Sequence, residues 1–240
     1  MELTDSLLKL AAERCRGAAG DMLNGIVHNL NNPVHALTMQ TELLRNSLGR
    51  EGLDAVRPKL LEKCTRLERV AQELKSQLDV LSWRDAYVNP TRQLIDPAHF
   101  AAWLLRFWQG DLLFKHNVTA TLTTDPPPPH IQTIPLALTW CLEEPLTALL
   151  SPFRDGNAQG APDLSLKLAL ECGPLPGGGL AVRMATTPEA GGGGDLAGKI
   201  RHVPELQKLT SALGWDWSAD LDQERLSVRV AIPGKAGSGG

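Results

Sequence analysis

The chain has 240 residues, of which 42% are hydrophobic, so it is long enough to bury the cores of two modest domains. Its 24 basic and 27 acidic residues give a net charge of −3 with no long run of one sign, which argues against nucleic acid or an anionic membrane as a partner. The four cysteines show neither metal-ligand nor disulfide-framework spacing, and we expect reduced thiols in a cytoplasmic protein.

The first predicted element is a long amphipathic helix. Charges at Glu2, Asp5 and Lys9 interrupt any export signal, and no stretch of the chain approaches about 18 apolar residues, so we expect no membrane span. Leucines then recur every seven residues, with apolar pairs between them, which is typical of a helix in a bundle. The residues of this ladder are Leu23, Leu30, Leu37 and Leu44, with Ile26/Val27 and Pro33/Val34 between them.

A second ladder of leucines predicts a second helix of the same kind. Its members are Leu53, Leu60, Leu67, Leu74 and Leu81. Gly49 and Gly52 bracket the break between the two ladders, so the helices should form an antiparallel hairpin. Two apolar stripes of this length cannot be buried by one hairpin, and we expect a homodimer that forms a four-helix bundle. Packing of the hairpin on the C-terminal half is the alternative.

One histidine of the first helix lies away from its leucine ladder. His28 opens the sequence His-Asn-Leu-Asn-Asn-Pro, which ends at Pro33. At about 100° per residue, His28 lies about 140° from Leu23, so its ring should face water or a visiting protein. His35 follows seven residues later on the same outward stripe and is expected to flank a docking surface.

The C-terminal half mixes helices and strands. Asp96-Pro97 predicts the start of a helix that runs to about Gly110. The other predicted elements are a strand over 117–124 that ends in four prolines, a helix over 135–150 kinked or broken at Pro145, a hairpin of 164–171 with 180–186, a helix over 203–213 and a closing hairpin of 215–221 with 225–232. Together they predict an α/β sandwich, one sheet covered by helices on one face.

Three sets of residues in this half have ordinary explanations. Adjacent helical residues point about 100° apart, so Glu143 and Glu144 are expected on a solvated face rather than as paired catalytic carboxylates. Five tryptophans are expected to fill a core: Trp103, Trp108, Trp140, Trp215 and Trp217. The remaining four histidines show no metal-ligand spacing: His99, His116, His130 and His202.

The order of a helical hairpin bearing His28 to Pro33, followed by an α/β sandwich that ends in a helix and a hairpin, resembles bacterial sensor histidine kinases over roughly residues 15–233. The resemblance implies an α+β protein with a dimerisation and histidine-phosphotransfer domain at residues 1–90. A degenerate ATP-binding-like α/β sandwich would occupy residues 91–233, and residues 234–240 would form a flexible tail.

The same resemblance implies that nucleotide binding is lost. Where the family carries an asparagine that holds Mg²⁺, this chain has Ala148, which has no oxygen to offer a metal. Where the family carries a carboxylate that reads adenine, this chain has Ala185 to Pro188. Four glycines at 191–194 are all that could remain of a glycine-rich lid. We therefore expect no cofactor and no metal on this chain, and Mg²⁺ on the receiver domain of a partner.

The function implied is that of a histidine phosphotransferase in a two-component phosphorelay, in which His28 exchanges a phosphoryl group with an aspartate of a response-regulator receiver domain. Asn32, one turn beyond His28, would orient the phosphoryl group. Asn29 replaces the acid that would deprotonate the ring in an autophosphorylating kinase, which disfavours self-phosphorylation. The alternatives are an inert pseudokinase that sequesters a regulator and a divergent active histidine kinase.

Overall fold

The computed structural model describes residues 2–48, 53–154, 166–176, 178–188, 203–222 and 225–234. Its helices are α1 (Glu2–Leu48), α2 (Leu53–Tyr87), α3 (Pro97–Trp108), α4 (Leu112–Asn117), α5 (Pro135–Arg154) and α6 (Pro204–Ala212). The expected start of α3 is confirmed, because the Asp96 carboxylate accepts hydrogen bonds from the backbone N–H groups of Ala98 and His99. Of the kink or break expected at Pro145, the break does not occur: α5 continues through Pro145, and Cys141 and Leu146 on either side of it are fully buried in the core.

The strands are β1 (Gln93–Ile95), β2 (Val118–Thr123), β3 (Ile131–Thr133), β4 (Leu166–Leu175), β5 (Gly179–Pro188), β6 (Asp216–Asp222) and β7 (Arg225–Ile232). Five of them form a sheet in the order β2-β4-β5-β7-β6, in which β2 runs parallel to β4 and the other neighbours are antiparallel. The antiparallel pair β1 and β3 forms a separate small sheet that was not predicted. Strands of three residues are too short for an alternating pattern to be recognised.

Within the described residues, helices cover the five-stranded sheet on one face only, as expected. Alternate residues of its central strands are buried against the helices, among them Leu168, Val182 and Val230. Their neighbours face outward, and Glu171 pairs there with Arg183 at 3.8 Å. This alternation is the signature of an antiparallel sheet with one solvated face, and the predicted arrangement of a helical hairpin followed by an α/β sandwich is confirmed.

The first half of α1 packs on the sandwich. Its buried residues are Leu7, Ala11, Cys15, Ala18 and Met22. All of these except Ala18 belong to the same hydrophobic cluster as the core of the sheet, and α1 contacts both α5 and α6. Four tryptophans are buried in the core as predicted, namely Trp103, Trp108, Trp140 and Trp215, whereas Trp217 is half-buried. The helix that carries His28 is thus anchored along its N-terminal half.

A buried ion pair fastens the hairpin to the sandwich. Arg84 of α2 makes a two-pronged contact with the Glu143 carboxylate of α5, and its Nη2 also donates to the carbonyl oxygen of Cys15 at 2.6 Å. The prediction that Glu143 and Glu144 occupy a solvated face is therefore wrong. Glu143 is 2% exposed, and Glu144 accepts a hydrogen bond from the Trp140 indole at 2.9 Å. Burial raises the pKa of the Glu143 carboxyl, and the adjacent guanidinium opposes that rise.

The leucine ladder of α1 is only partly buried in this single chain, because Leu30, Leu37 and Leu44 are half-buried and Leu23 is exposed. Pro33 is buried and Ile26 half-buried against the rest of the protein, whereas Leu23, Val27 and Val34 are 58%, 48% and 45% exposed. The apolar pairs of the heptad are thus divided between two faces of the helix. Among the described residues, no helix combines the length and the apolar character that a membrane crossing requires.

Candidate functional site

His28 is exposed near the middle of α1. Because successive side chains are about 100° apart around the helix axis, the residues around His28 fall on three faces of α1. Gly25 lies on the face that packs on the sandwich, and Leu23 and Val27 lie on the exposed apolar stripe. His28 falls between these two faces, where it is joined by His35, which is also exposed. The ring is therefore accessible on a face that neither the core nor the apolar stripe uses.

Asn29 connects the histidine helix to the sandwich. Its Nδ2 donates to the carbonyl oxygen of Gln109 at 3.3 Å, and its Oδ1 accepts from Lys115 Nζ at 3.3 Å. The side chain is half-buried, about 100° around the helix from His28. Its amide is thus engaged with residues that follow α3, and it supplies a fixed connection immediately beside the exposed ring.

Asn32 is exposed one turn beyond His28, which is the spacing at which two helical residues share a face. It also lines a cleft between the hairpin and the sandwich, together with Asn29. His28 does not line that cleft. The structure therefore places the three residues predicted for the site on one stretch of α1, with the two amides at the edge of a cleft and the imidazole outside it.

The close approach of α1 to the sandwich depends on glycine. Gly25 is buried, and a Cβ atom at this position would lie 2.1 Å from the carbonyl oxygen of Gly110. Real carbon and oxygen atoms do not approach so closely, so only glycine allows this contact without movement of the backbone. One turn later on the same helix, Asn29 reaches Gln109. The packing of these two glycines thus sets the position of the segment that carries His28.

The positions predicted to have lost nucleotide chemistry carry no carboxylate in the structure. Ala148 is partly buried against the core of α5. At the end of β5, Ala185 and Thr186 are buried and Thr187 is exposed. The glycines at 191–194 lie outside the described residues. Ala148 and Ala185 have only methyl groups at these points, and Thr186 and Thr187 offer a neutral hydroxyl in place of a carboxylate.

Within the part of the chain that the structure describes, no three His, Cys, Asp or Glu side chains converge as metal ligands would. His99 instead shares a hydrogen bond of 2.6 Å with the Tyr87 hydroxyl and contacts the Trp83 ring edge to face, with centroids 4.6 Å apart. Burial raises the pKa of Tyr87 to about 12, with a further contribution from the Asp96 charge. This cluster lies on α2 and α3 and is formed by aromatic packing.

No protein-family model and no curated protein matches the sequence. Among solved structures, the chain is similar to the histidine kinase AdeS of Acinetobacter baumannii, with 13% identity, a TM-score of 0.41, and 87% of this chain and 98% of that chain covered. It is similar to the blue-light activated histidine kinase EL346 of Erythrobacter litoralis, with 15% identity, a TM-score of 0.39, and coverage of 83% and 59%. It is also similar to a bacterial phosphotransferase, with 13% identity, a TM-score of 0.35, and coverage of 89% and 95%.

The residues of the sandwich that lie beside the histidine helix were not predicted from the sequence. Gln109 and Lys115 bind Asn29, and Arg106 lines the same cleft as Asn32. One available signal was Gly25, because a glycine inside a helical pattern costs about 1 kcal/mol relative to alanine and often has a packing reason. The pairing of Gly25 with Gly110 depends on the tertiary fold and has no local signature.

Proposed function

We propose that the chain is a histidine phosphotransferase of a two-component phosphorelay, in which His28 exchanges a phosphoryl group with the aspartate of a response-regulator receiver domain. The observation that carries this proposal is the exposure of His28 on a helix face left free by both the core and the apolar stripe. A receiver active site is a recess, so its phosphoryl acceptor has to stand on a convex, accessible surface. An anchored helix meets that requirement.

The chemistry needs little from this chain. The unprotonated ring nitrogen of His28 attacks the phosphorus of the aspartyl phosphate, a P–N bond forms, and the P–O bond to the aspartate breaks. The aspartate leaves as a carboxylate, and the proton on the other ring nitrogen passes to solvent. Mg²⁺ held by the receiver balances the charge on the phosphoryl oxygens. The reverse reaction delivers the group to a second receiver.

Two amides would assist in different ways. Asn32 is exposed one turn from His28, so its Nδ2 can donate to a phosphoryl oxygen. Asn29 is bound to Gln109 and Lys115, so its contribution is to hold the helix at a fixed position on the sandwich. An amide in that place cannot take the ring proton, which supports transfer from a receiver over self-phosphorylation with ATP.

A homodimer would complete a four-helix bundle from two hairpins. Leu23, Val27, Leu30 and Val34 follow one another in steps of four, three and four residues, which is the spacing of a coiled-coil seam. Leu23, Val27 and Val34 are exposed in the single chain, and a second copy would bury them without covering His28, which lies about 100° from Val27. We propose a cytoplasmic dimer of this kind as the acting form.

The direct test is transfer from phosphorylated receiver domains of the same cell. With ³²P-labelled receivers, the wild-type chain should acquire an acid-labile label, and His28→Ala should acquire none. His130→Ala is the matched control, because His130 is an exposed histidine between β2 and β3, outside the histidine helix, and its loss should leave labelling unchanged. Full labelling of His28→Ala would refute the proposal.

The two rival functions give different results in the same assay. An inert binding module would bind receivers with no label on the wild-type chain. An active kinase would become labelled from [γ-³²P]ATP in the absence of any receiver. Asn32→Ala should slow transfer without weakening receiver binding, because a contact made mainly to the transferring group affects the rate rather than the affinity.

A further inference from the structure

A cleft bordered by Asn29 and Asn32 lies at the junction of the hairpin and the sandwich. It is called the junction cleft below. It has a volume of about 230 Å³ and lies between α1, α2 and the end of α3. Its apolar wall is formed by Ile26, Leu30, Val80, Leu81 and Phe107. Concave sites with an apolar wall and a few polar groups, located where two parts of a protein meet, are where small ligands bind.

Two cationic side chains border the junction cleft and favour an anion. Arg106 and Lys115 both line it, against a single acidic residue, Glu73. Lys115 Nζ donates to Asn29 Oδ1, whereas the Arg106 guanidinium has no hydrogen-bond or ion-pair partner within the described parts of the chain. A guanidinium presents a planar array of N–H groups that matches a carboxylate, sulfonate or phosphate. The charged end of a ligand would therefore be negative.

A third side chain, that of Gln77, indicates that the ligand carries a hydrogen-bond donor. Gln77 lines the cleft, and its Oε1 atom is buried and accepts no hydrogen bond from any described residue. A buried acceptor without a partner is costly, and rotation of the amide toward the cleft would let an N–H or O–H group of a ligand relieve that cost. Three independent observations each constrain a different part of one ligand. They are the apolar wall, the unpaired guanidinium of Arg106 and the unpaired oxygen of Gln77.

We propose that the junction cleft binds a small amphipathic organic anion, one with an apolar body, one acidic group and one hydrogen-bond donor. The body lies on Ile26, Leu81 and Phe107, the acidic group pairs with Arg106, and the donor pairs with Gln77 Oε1 once the amide turns toward the cleft. The volume lies below the range of roughly 300–1,000 Å³ that is usual for drug-sized ligands, so the ligand is the size of a fragment. The inference does not depend on phosphotransfer by His28.

Three probes separate these requirements. Indole-3-acetate has an apolar ring, a carboxylate and an N–H donor; naphthalene-1-acetate lacks the donor; tryptamine keeps the indole and reverses the charge. Isothermal titration of the full chain should give binding of indole-3-acetate, weaker binding of naphthalene-1-acetate and none of tryptamine. Binding to the folded state should also raise the thermal unfolding temperature with indole-3-acetate concentration.

Variants assign the contacts. Arg106→Met should weaken the affinity for indole-3-acetate roughly tenfold, as expected for the loss of one charge-assisted contact. Arg229→Met is the matched control, because Arg229 is an exposed arginine of β7 away from the cleft, and it should leave affinity unchanged. Gln77→Leu should remove the preference for indole-3-acetate over naphthalene-1-acetate. Far-UV circular dichroism checks that each variant folds.

Four results would overturn the proposal: no binding of indole-3-acetate at millimolar concentration, equal binding of tryptamine, equal weakening by Arg229→Met and Arg106→Met, or an unchanged preference in Gln77→Leu. If Arg106→Met weakened only the binding of a receiver domain and no probe bound, the cleft would be a protein contact instead. The transfer assay with His28→Ala is read independently, so a failure of either proposal leaves the other distinguishable.

Discussion

Replacement of Gly25 by alanine should push the histidine helix away from the sandwich. The added Cβ would lie 2.1 Å from the Gly110 carbonyl oxygen and 3.3 Å from Leu112 Cγ. The carbonyl is backbone and cannot rotate away, so α1 or the turn after α3 has to move. Alanine gains about 1 kcal/mol over glycine in a helix, and overpacking a close contact costs about 1–3 kcal/mol. The two effects oppose each other at this position.

Gly17→Ala separates these effects. Gly17 is exposed on the same helix, and a Cβ there would meet nothing within 4 Å. It carries the same gain in helix propensity without the clash, so Gly17→Ala should be about 1 kcal/mol more stable than wild type. Gly25→Ala should be about 1–3 kcal/mol less stable than Gly17→Ala. Urea unfolding at one fixed protein concentration, followed by circular dichroism at 222 nm, measures both values. Equal stabilisation by both substitutions would show that α1 does not depend on this contact.

Two further predictions concern the buried ion pair and the apolar stripe. Arg84→Met should lower the free energy of unfolding by about 3–5 kcal/mol, because it leaves Glu143 buried without its partner, and Glu143→Met in the same chain should restore most of the loss. In Arg84→Met, burial raises the pKa of Glu143 above its ordinary 4.5 without the guanidinium to oppose the rise, so stability relative to wild type should be highest below pH 4.5 and fall as pH rises; a difference in urea midpoints that shrinks as pH rises would contradict this. Val27→Asp should convert a dimer to a monomer in sedimentation velocity, whereas Leu94→Asp, which alters a more exposed residue of β1, should not. A dimer that persists in Val27→Asp would place the interface elsewhere.

Periodicity was sufficient to predict the elements whose faces differ consistently in burial. The hairpin of long helices and the alternating strands of the sheet have this property, whereas the helix after Asp96 was predicted from its N-cap and the following proline. Each of these predictions used information within a few residues of the chain. The pairing of β1 with β3 could not be predicted, because it joins two segments of three residues that lie far apart in sequence.

The error about Glu143 has a different physical cause. A carboxylate on a helix is solvated unless a cation from elsewhere in the chain reaches it, and such a cation cannot be identified from the pattern around the acid. Arg84 is 59 residues away along the chain. The same limit applies to Asn29, whose partners Gln109 and Lys115 follow about 80 residues later and give no signal in the His-Asn-Leu-Asn-Asn-Pro sequence.

The division of α1 into three faces connects these observations. The packing on the sandwich at Gly25 and the exposed stripe at Val27 occupy two faces of the helix, and His28 lies in the sector of about 160° between them. A shift of register by one residue would move the imidazole about 100°, toward the sandwich in one direction and toward the apolar stripe in the other. The exposure of His28 therefore depends on the same contact between Gly25 and Gly110 that no local motif contains. Any substitution that rotates α1 at Gly25 should alter the accessibility of the imidazole even though the side chain of His28 itself is unchanged.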